Sequence, residues 1–307
     1  KVLVKITTGT YKGKEKQAIN PSGTLFGADC KVGARIIVIV NKSGTNAGFT
    51  VYSQDRTMAI YGFALIFAAV VCAIGGKKGV YAILSLVFAF ACIIGIMFPM
   101  MYRGISPIVL TIIVAVLTTI VTLGLLGGYS SKTVSAILGT AIGVVIAAVA
   151  AMTFGKAAGI TGYNVSDIEA LNYVGQNTKI KIGELLFAGI IISALGAVMD
   201  VGMSIASTIQ EIYETDKTLS MKRLFVSGIN VGRDMMGTMT NTLIFAYVGG
   251  AMTTLVINYA YDLSYRQLAN SYVIGIEIMQ GLSGSLGVVL TAVSYTHLRA
   301  HETAANL

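Results

Sequence analysis

Hydrophobic and polar positions change their period near residue 56. Upstream, Val2, Val4 and Ile6 alternate with Lys1, Leu3, Lys5 and Thr7, a period of two that predicts a strand with one buried face. The glycines of TGTYKGKE signal a turn before a second stretch, ARIIVIVN reads as a buried strand, and GFTVYSQD reads as a third. Residues 1–56 are therefore expected to form a small β domain, with Lys12, Lys14 and Lys16 on a solvated edge.

From Thr57 the alternation gives way to apolar runs close to the roughly 20 residues that cross about 30 Å of hydrocarbon. Spans are predicted at Thr57–Ile74, Val80–Met100, Pro107–Leu126, Val134–Thr153, Leu185–Ile205, Met236–Tyr259, and from Tyr272 onward. The last of these is incomplete. Small residues recur every fourth position in two of them, Gly139, Gly143, Ala147 and Ala151 in one and Gly189, Ser193 and Ala197 in the other. Each row predicts a smooth ridge on which a neighbouring helix can approach closely. The fold class is mostly α: a polytopic transmembrane helical bundle over residues 57–292 with a small N-terminal extracytoplasmic β domain.

Composition makes the membrane reading firm. With 55% hydrophobic and only 12% charged residues, the chain has too few charges to cover the surface of a water-soluble domain of 307 residues. The net charge of +8 is spread along the chain, which suits anionic lipid headgroups and supplies no basic, aromatic-interleaved patch for nucleic acid. Loops carrying Lys77, Lys78, Lys132, Lys217, Lys222, Arg223 and Arg233 alternate with loops carrying Arg103, Lys156, Lys179, Lys181 and Arg266. The excess on the first side puts that side in the cytoplasm and the β domain outside. Cys30, Cys72 and Cys92 are too widely spaced for a C-x-x-C site, so neither a disulfide framework, a metal nor a cofactor is expected.

Both ends call for exclusion before any chemistry is read. The chain opens on Lys1 in mid-strand, as a fragment or a processed product would. VSYTHLRAHET, at Val293–Thr303, replaces an apolar helix abruptly and reproduces the translation of a common transposase sequencing adapter. Residues 293–307 are therefore read as adapter-derived, and His297 and His301, despite their i, i+4 spacing, as no metal site.

The informative residues are ionisable groups inside apolar runs, which are functional by default because burying each in lipid costs at least about 2.5 kcal/mol. Asp200, Ser204, Ser207 and Glu211 follow i, i+4, i+7, i+11 and form one polar stripe on a helix. Asp234, Thr238 and Asn241 share a second helical face behind Arg233, with Asp234 expected near the helix N-terminus at the membrane surface. Glu277 lies in VIGIEIMQGL of the last span. Three acids on three helices could line one pathway; the bland alternative is that their hydroxyl neighbours only bond the preceding turn.

Enzymatic readings fit poorly. VGRD and AVMD lack the glycine-flanked motif of intramembrane aspartyl proteases, and GGKKG lacks the spacing and the Ser or Thr of a phosphate loop. Met235, Met236 and Met239 read as packing filler and not as copper ligands. No enzyme activity is expected.

ISALGAVMDVGMSIAS and SGINVGRDMMGTMTNTLIFAYVGG resemble the two signature segments of the YibE/F family of bacterial multispan membrane proteins, over Lys1 to about Ala292. The resemblance implies a membrane anchor, an external β domain and a C-terminal bundle, of which the anchor and the end of the last helix are missing here. It implies no activity. Two functions follow from the residues themselves: a secondary transporter or permease using the intramembrane acids, and a non-transporting scaffold whose external domain binds a partner. The expected partners are membrane lipids, with a membrane or cell-surface protein or a second copy of the chain beside them.

Overall fold

The computed structural model describes residues 1–21, 28–43, 46–128, 130–165 and 167–305, with side chains omitted at 42–46, 131, 221 and 295–305. Contacts divide the chain into two compact units, Lys1–Ile74 and Gly75–Leu307.

The first unit holds two antiparallel hairpins. β1 (Val2–Lys5) pairs with β2 (Glu15–Ala18), and β3 (Ile36–Ser43) with β4 (Asn46–Gln54), the latter through a register shift at Ile37/Val38. Ile19 stitches them together, its amide donating to Phe49 O at 2.9 Å and its carbonyl accepting from Val51 N at 2.8 Å. Ala18, Ala28, Phe49 and Val51 are the buried centre, with the Tyr11 ring set edge-on to Phe49 at 5.4 Å. ARIIVIVN is not buried on both faces as its apolar run suggested. Ile36, Val38 and Val40 pack inward, while Ile37 and Ile39 are exposed, because a two-stranded sheet covers one face only.

α1 (Thr57–Cys92) begins where Asp55 accepts from the Thr57 amide at 3.0 Å. Within α1 two helical stretches meet at GGKKG, where the charged connection between the two expected spans falls: the chain kinks at Gly76, whose φ of 53° and ψ of −132° need a residue without Cβ.

In the second unit a π-helical turn at Ile93–Met97 leads into α2 (Phe98–Tyr102). α3 (Pro107–Gly127) starts at the Ser106 cap and α4 (Ser131–Ala157) at the Ser130 cap, whose hydroxyls accept from Val109 N and Thr133 N. α5 (Ile168–Asn177) is a short amphipathic helix with no apolar run long enough to announce it. α6 (Leu185–Thr215) and α7 (Met221–Gly250) form a long hairpin. α8 (Met252–Ala260), α9 (Tyr265–Ala269) and α10 (Tyr272–Ala305) complete the chain. Among the described residues, five helical segments are long and apolar enough to cross a membrane. A sixth is formed by α7 with α8, bent by 59° at Ala251. The expected span Met236–Tyr259 is therefore a broken one.

α4, α6, α7 and α10 surround the main core of Val144, Ile191, Val198, Val201, Ile205, Leu243 and Val288. Close approach depends on the α4 ridge: Ala147 and Ala151 are fully buried, and a Cβ on Gly143 would collide with Thr291 of α10 and Val198 of α6. The α6 row does not behave in this way. Gly189 has no heavy atom within 4 Å of a Cβ position and Ser193 is exposed, because that row lies opposite the face of α6 that buries Ile190, Ala194, Val198 and Val201. α10 continues through 293–305; the side chains of His297 and His301 lie outside the described residues.

Candidate functional site

Packing partners fix the level of each candidate residue along the bundle. On α6 and α10, Ala194 meets Gly284, Val198 meets Gly287, and Gly202 meets Thr291, so the two helices run parallel. Gly232 of α7 meets Ile205 and Ala292, while Tyr247 of α7 meets Ser193, so α7 runs antiparallel to both. The Ser106 hydroxyl donates to the Glu184 carboxylate and Gly104 abuts Lys179, which sets these residues at the α6 N-terminal end.

Asp200 therefore sits at the level of Val289. Glu277 precedes Val289 by twelve residues, roughly 18 Å along the axis at 1.5 Å per residue. The acids do not converge on one site. Asp200 lies five residues, or roughly 7 Å, inside the level marked by Ile205, Gly232 and Ala292, and Glu277 lies near the other end of the bundle.

The stripe on α6 is continuous. Gly189, Ser193, Gly196 and Asp200 are exposed, Ser204 and Ser207 are half-buried, and Glu211 is exposed again, all on the face turned away from the core. Asp200 is expected to face a cavity or a partner; its side chain is exposed on the outward face of α6, and among the described residues it makes no hydrogen bond or ion pair.

The face behind Arg233 differs from expectation in one respect. α7 begins at Met221, so Asp234 stands more than three turns inside the helix and not at its N-terminus. The apolar run starts only at Met235, whereas the hydrogen-bonded helix starts with the hairpin; hydropathy marks where lipid begins, not where the helix does. Arg233, Asp234, Thr238 and Asn241 are exposed; the first two lie at the level of the Ile205 and Ala292 boundary, Thr238 roughly 9 Å and Asn241 roughly 13 Å inside it. The Thr238 hydroxyl donates to Asp234 O and that of Thr242 to Thr238 O, both at 2.9 Å, so those two serve their own helix.

Glu277 lies beside a cavity. It is half-buried and lines a cleft of about 240 Å³ between α7, α8 and α10, which opens where the helix bends at Ala251. Tyr247 lines the same cleft and donates its hydroxyl to Ser193 Oγ at 2.9 Å. This hydrogen bond joins the cleft to the α6 stripe, because Ser193 precedes Asp200 by seven residues on one face, with Gly196 between them leaving open space. The result is a trail of separate polar side chains from Glu277 past Tyr247 and Ser193 to Asp200, Ser204, Ser207 and Glu211, joined by a hydrogen bond, among the described residues, at Tyr247–Ser193; the Ser193 hydroxyl itself donates to Ile190 O at 3.0 Å. Tyr247 was not among the residues the sequence singled out, and Ser193 was read only as a small packing residue. Their partnership spans 54 positions, beyond any local pattern.

Outside the spanning segments, the Asp216 carboxyl in the α6–α7 turn is held below its ordinary range by hydrogen bonds from the Thr218 hydroxyl at 2.6 Å and amide at 2.9 Å. No cluster of three or more metal-binding side chains occurs among the described residues.

Residues 63–301 match the family described as YibE/F-like protein. No curated protein and no solved structure matches the chain.

Proposed function

The chain belongs to the YibE/F-like family, and from that premise we propose that it is a secondary transporter or permease whose intramembrane carboxylates exchange protons or cations. The observation that carries this reading is the polar trail through Tyr247 and Ser193, which links a cleft near one end of the bundle to Asp200 near the other. Unpartnered carboxylates are expensive in hydrocarbon and persist where they do work. A spanning helix broken beside a cavity is also the usual architecture around a transport site. The 59° bend at Ala251, against Glu277, is such a break.

The reading extends to the bacterial cell membrane, with the β domain outside. Lys132, Lys217, Lys222, Arg223 and Arg233 gather at the end of the bundle marked by Ile205, and Arg103, Lys156, Lys179 and Lys181 at the other, a sorting that favours the first end as cytoplasmic.

Proteoliposomes loaded with a pH-sensitive dye and exposed to a proton gradient test it. Wild type should move protons above the rate of empty vesicles, and Asp200→Asn, which keeps size but cannot titrate, should abolish the flux while leaving thermal unfolding unchanged. Full flux in the mutant, or none in wild type, would favour the scaffold reading, which has its own support in the uncovered polar face of Arg233, Asp234, Thr238 and Asn241.

A further inference from the structure

The outward face of α7 is polar and open. Asn230, Asp234, Gly237 and Asn241 follow i, i+4, i+7, i+11 and form one exposed seam, with Arg233 beside it. The hydroxyls of Thr238 and Thr242 serve carbonyls of their own helix, but the side chains of Asn230, Arg233, Asp234 and Asn241 have no hydrogen bond or ion pair among the described residues. Asn241 carries this want roughly 13 Å inside the level of Ile205 and Ala292, within the apolar run that begins at Met235. Acyl chains offer an amide no partner, and the Asp234 carboxylate beside Arg233 opposes an anionic headgroup. The first apolar helix of the chain supplies no partner either, since residues 58–74 contain neither a charge nor an amide side chain.

We propose that this face is the contact between two copies of the chain, a twofold dimer in which α7 packs against α7 of the partner. Its support is a charge pattern complementary to itself. Two copies inserted in one orientation hold their helices parallel and at one depth, so a twofold axis along the membrane normal brings each residue level with its counterpart. In a parallel seam each knob enters a hole of four facing residues, those at i−4, i−1, i and i+3. Asp234 then enters beside the partner's Asn230, the partner's Arg233, the partner's Asp234 and the partner's Gly237. The twofold makes the arrangement reciprocal, so two arginine–carboxylate pairs offset one repulsion between carboxylates. Gly237, with no heavy atom within 4 Å of a Cβ position, lets the two backbones close. Deeper in the membrane Asn241 meets the partner's Asn241, and paired amides at one seam position fix the register. The dimer goes beyond the transporter reading and does not depend on it, because a scaffold would expose the same face to lipid.

Cross-linking in native membranes reads the seam directly. Gly237→Cys, oxidised with copper phenanthroline, is expected to give a disulfide-linked dimer, because facing seam positions approach within the Cα separation of about 4.4–6.8 Å that a disulfide needs. Leu138→Cys, exposed on α4, and wild type with its three native cysteines should not. The full chain in mild detergent is then followed by light scattering through a dilution series. Arg233→Glu and Asp234→Arg should each weaken the dimer at least about tenfold by setting like charges together, and the exchanged pair, Arg233→Asp with Asp234→Arg, should return it to within about threefold of wild type. Recovery in the exchanged pair excludes misfolding as the cause of the single losses. A monomeric wild type, no excess of cross-link at Gly237→Cys over Leu138→Cys, a dimer indifferent to Arg233→Glu, or no recovery in the exchanged pair each overturns the proposal. If wild type is monomeric and phosphatidylglycerol raises its unfolding midpoint while Arg233→Glu removes that rise, the face belongs to lipid headgroups instead.

Discussion

Replacing Gly143 by Ala puts one methyl group where three helices meet. A Cβ there would lie 1.7 Å from Thr291 Oγ1, 2.8 Å from Val198 Cγ1 and 3.0 Å from the Gly287 carbonyl oxygen. Thr291 cannot simply turn away, because its hydroxyl donates to Gly287 O at 2.7 Å and its residue is fully buried. The methyl must then push α4 and α10 apart, an overpacking that costs typically 1–3 kcal/mol. A 1.7 Å approach belongs to the upper part of that range, about 2–3 kcal/mol, and the Ala side chain returns about 1 kcal/mol of helix propensity, leaving a net loss of about 1–2 kcal/mol. That should lower the unfolding midpoint by roughly 2–8 °C for a domain of this size. Gly196→Ala is the matched control. It sits on α6 with nothing within 4 Å of the new methyl, so it should leave the midpoint unchanged or raise it. The assay is thermal unfolding in detergent, followed by loss of the monodisperse peak. Gly143→Ala as stable as wild type, or Gly196→Ala equally damaging, would refute the packing at the α4, α6 and α10 junction.

Tyr247→Phe removes the one hydrogen bond shown between the cleft and the α6 stripe. It should reduce stability by only about 0.6 kcal/mol, the usual worth of such a bond between membrane helices, yet slow proton flux more than that loss accounts for. Flux equal to wild type would remove the trail from the mechanism. In the α6–α7 turn, the lowered Asp216 pKa means that the turn gains from the ionised group above its ordinary value near 3.8 and loses that gain as pH falls through the lower folded value. Protection of the Thr218 amide relative to its intrinsic exchange rate should therefore fall on acidification below about pH 4, and Asp216→Ala should remove that change in protection; the same fall in the mutant refutes it. For topology, a cysteine at Gln17 should react with an impermeant maleimide on whole cells and one at Thr218 should not, and the opposite pattern inverts the orientation.

Several features could be read without coordinates because they depend on local period. The i, i+4, i+7, i+11 placement of Asp200, Ser204, Ser207 and Glu211 puts them on one face of any helix, and the α4 glycine and alanine row marks close packing wherever it lies. Which face turns outward was not readable. Gly189 and Ser193 have the same spacing as Gly143 and Ala147, and only the tertiary arrangement puts one row inside and the other outside. Helix ends were misjudged for a related reason. α6 continues ten residues past Ile205 and α7 starts fifteen before Met236, because backbone hydrogen bonds close regardless of whether the side chains are apolar. The break at Ala251 carries no proline to announce it, and without that break Glu277 is an acid in an apolar run with no cleft around it.

The surface of α10 has a mechanical consequence. Its faces toward α4, α6 and α7 are built on Gly281, Gly284 and Gly287, and Ser285 and Thr291 spend their hydroxyls on carbonyls of their own helix. Contact there is a matter of shape, through dispersion forces that fall steeply with separation, and Thr291 seated over Gly143 interlocks α10 with α4 along the axis as well as across it. Such a joint resists sliding as much as pulling apart. α10 is thus keyed in place beside α4 and α6, and a slide of even a single residue rise, about 1.5 Å, would drive Thr291 out of its notch.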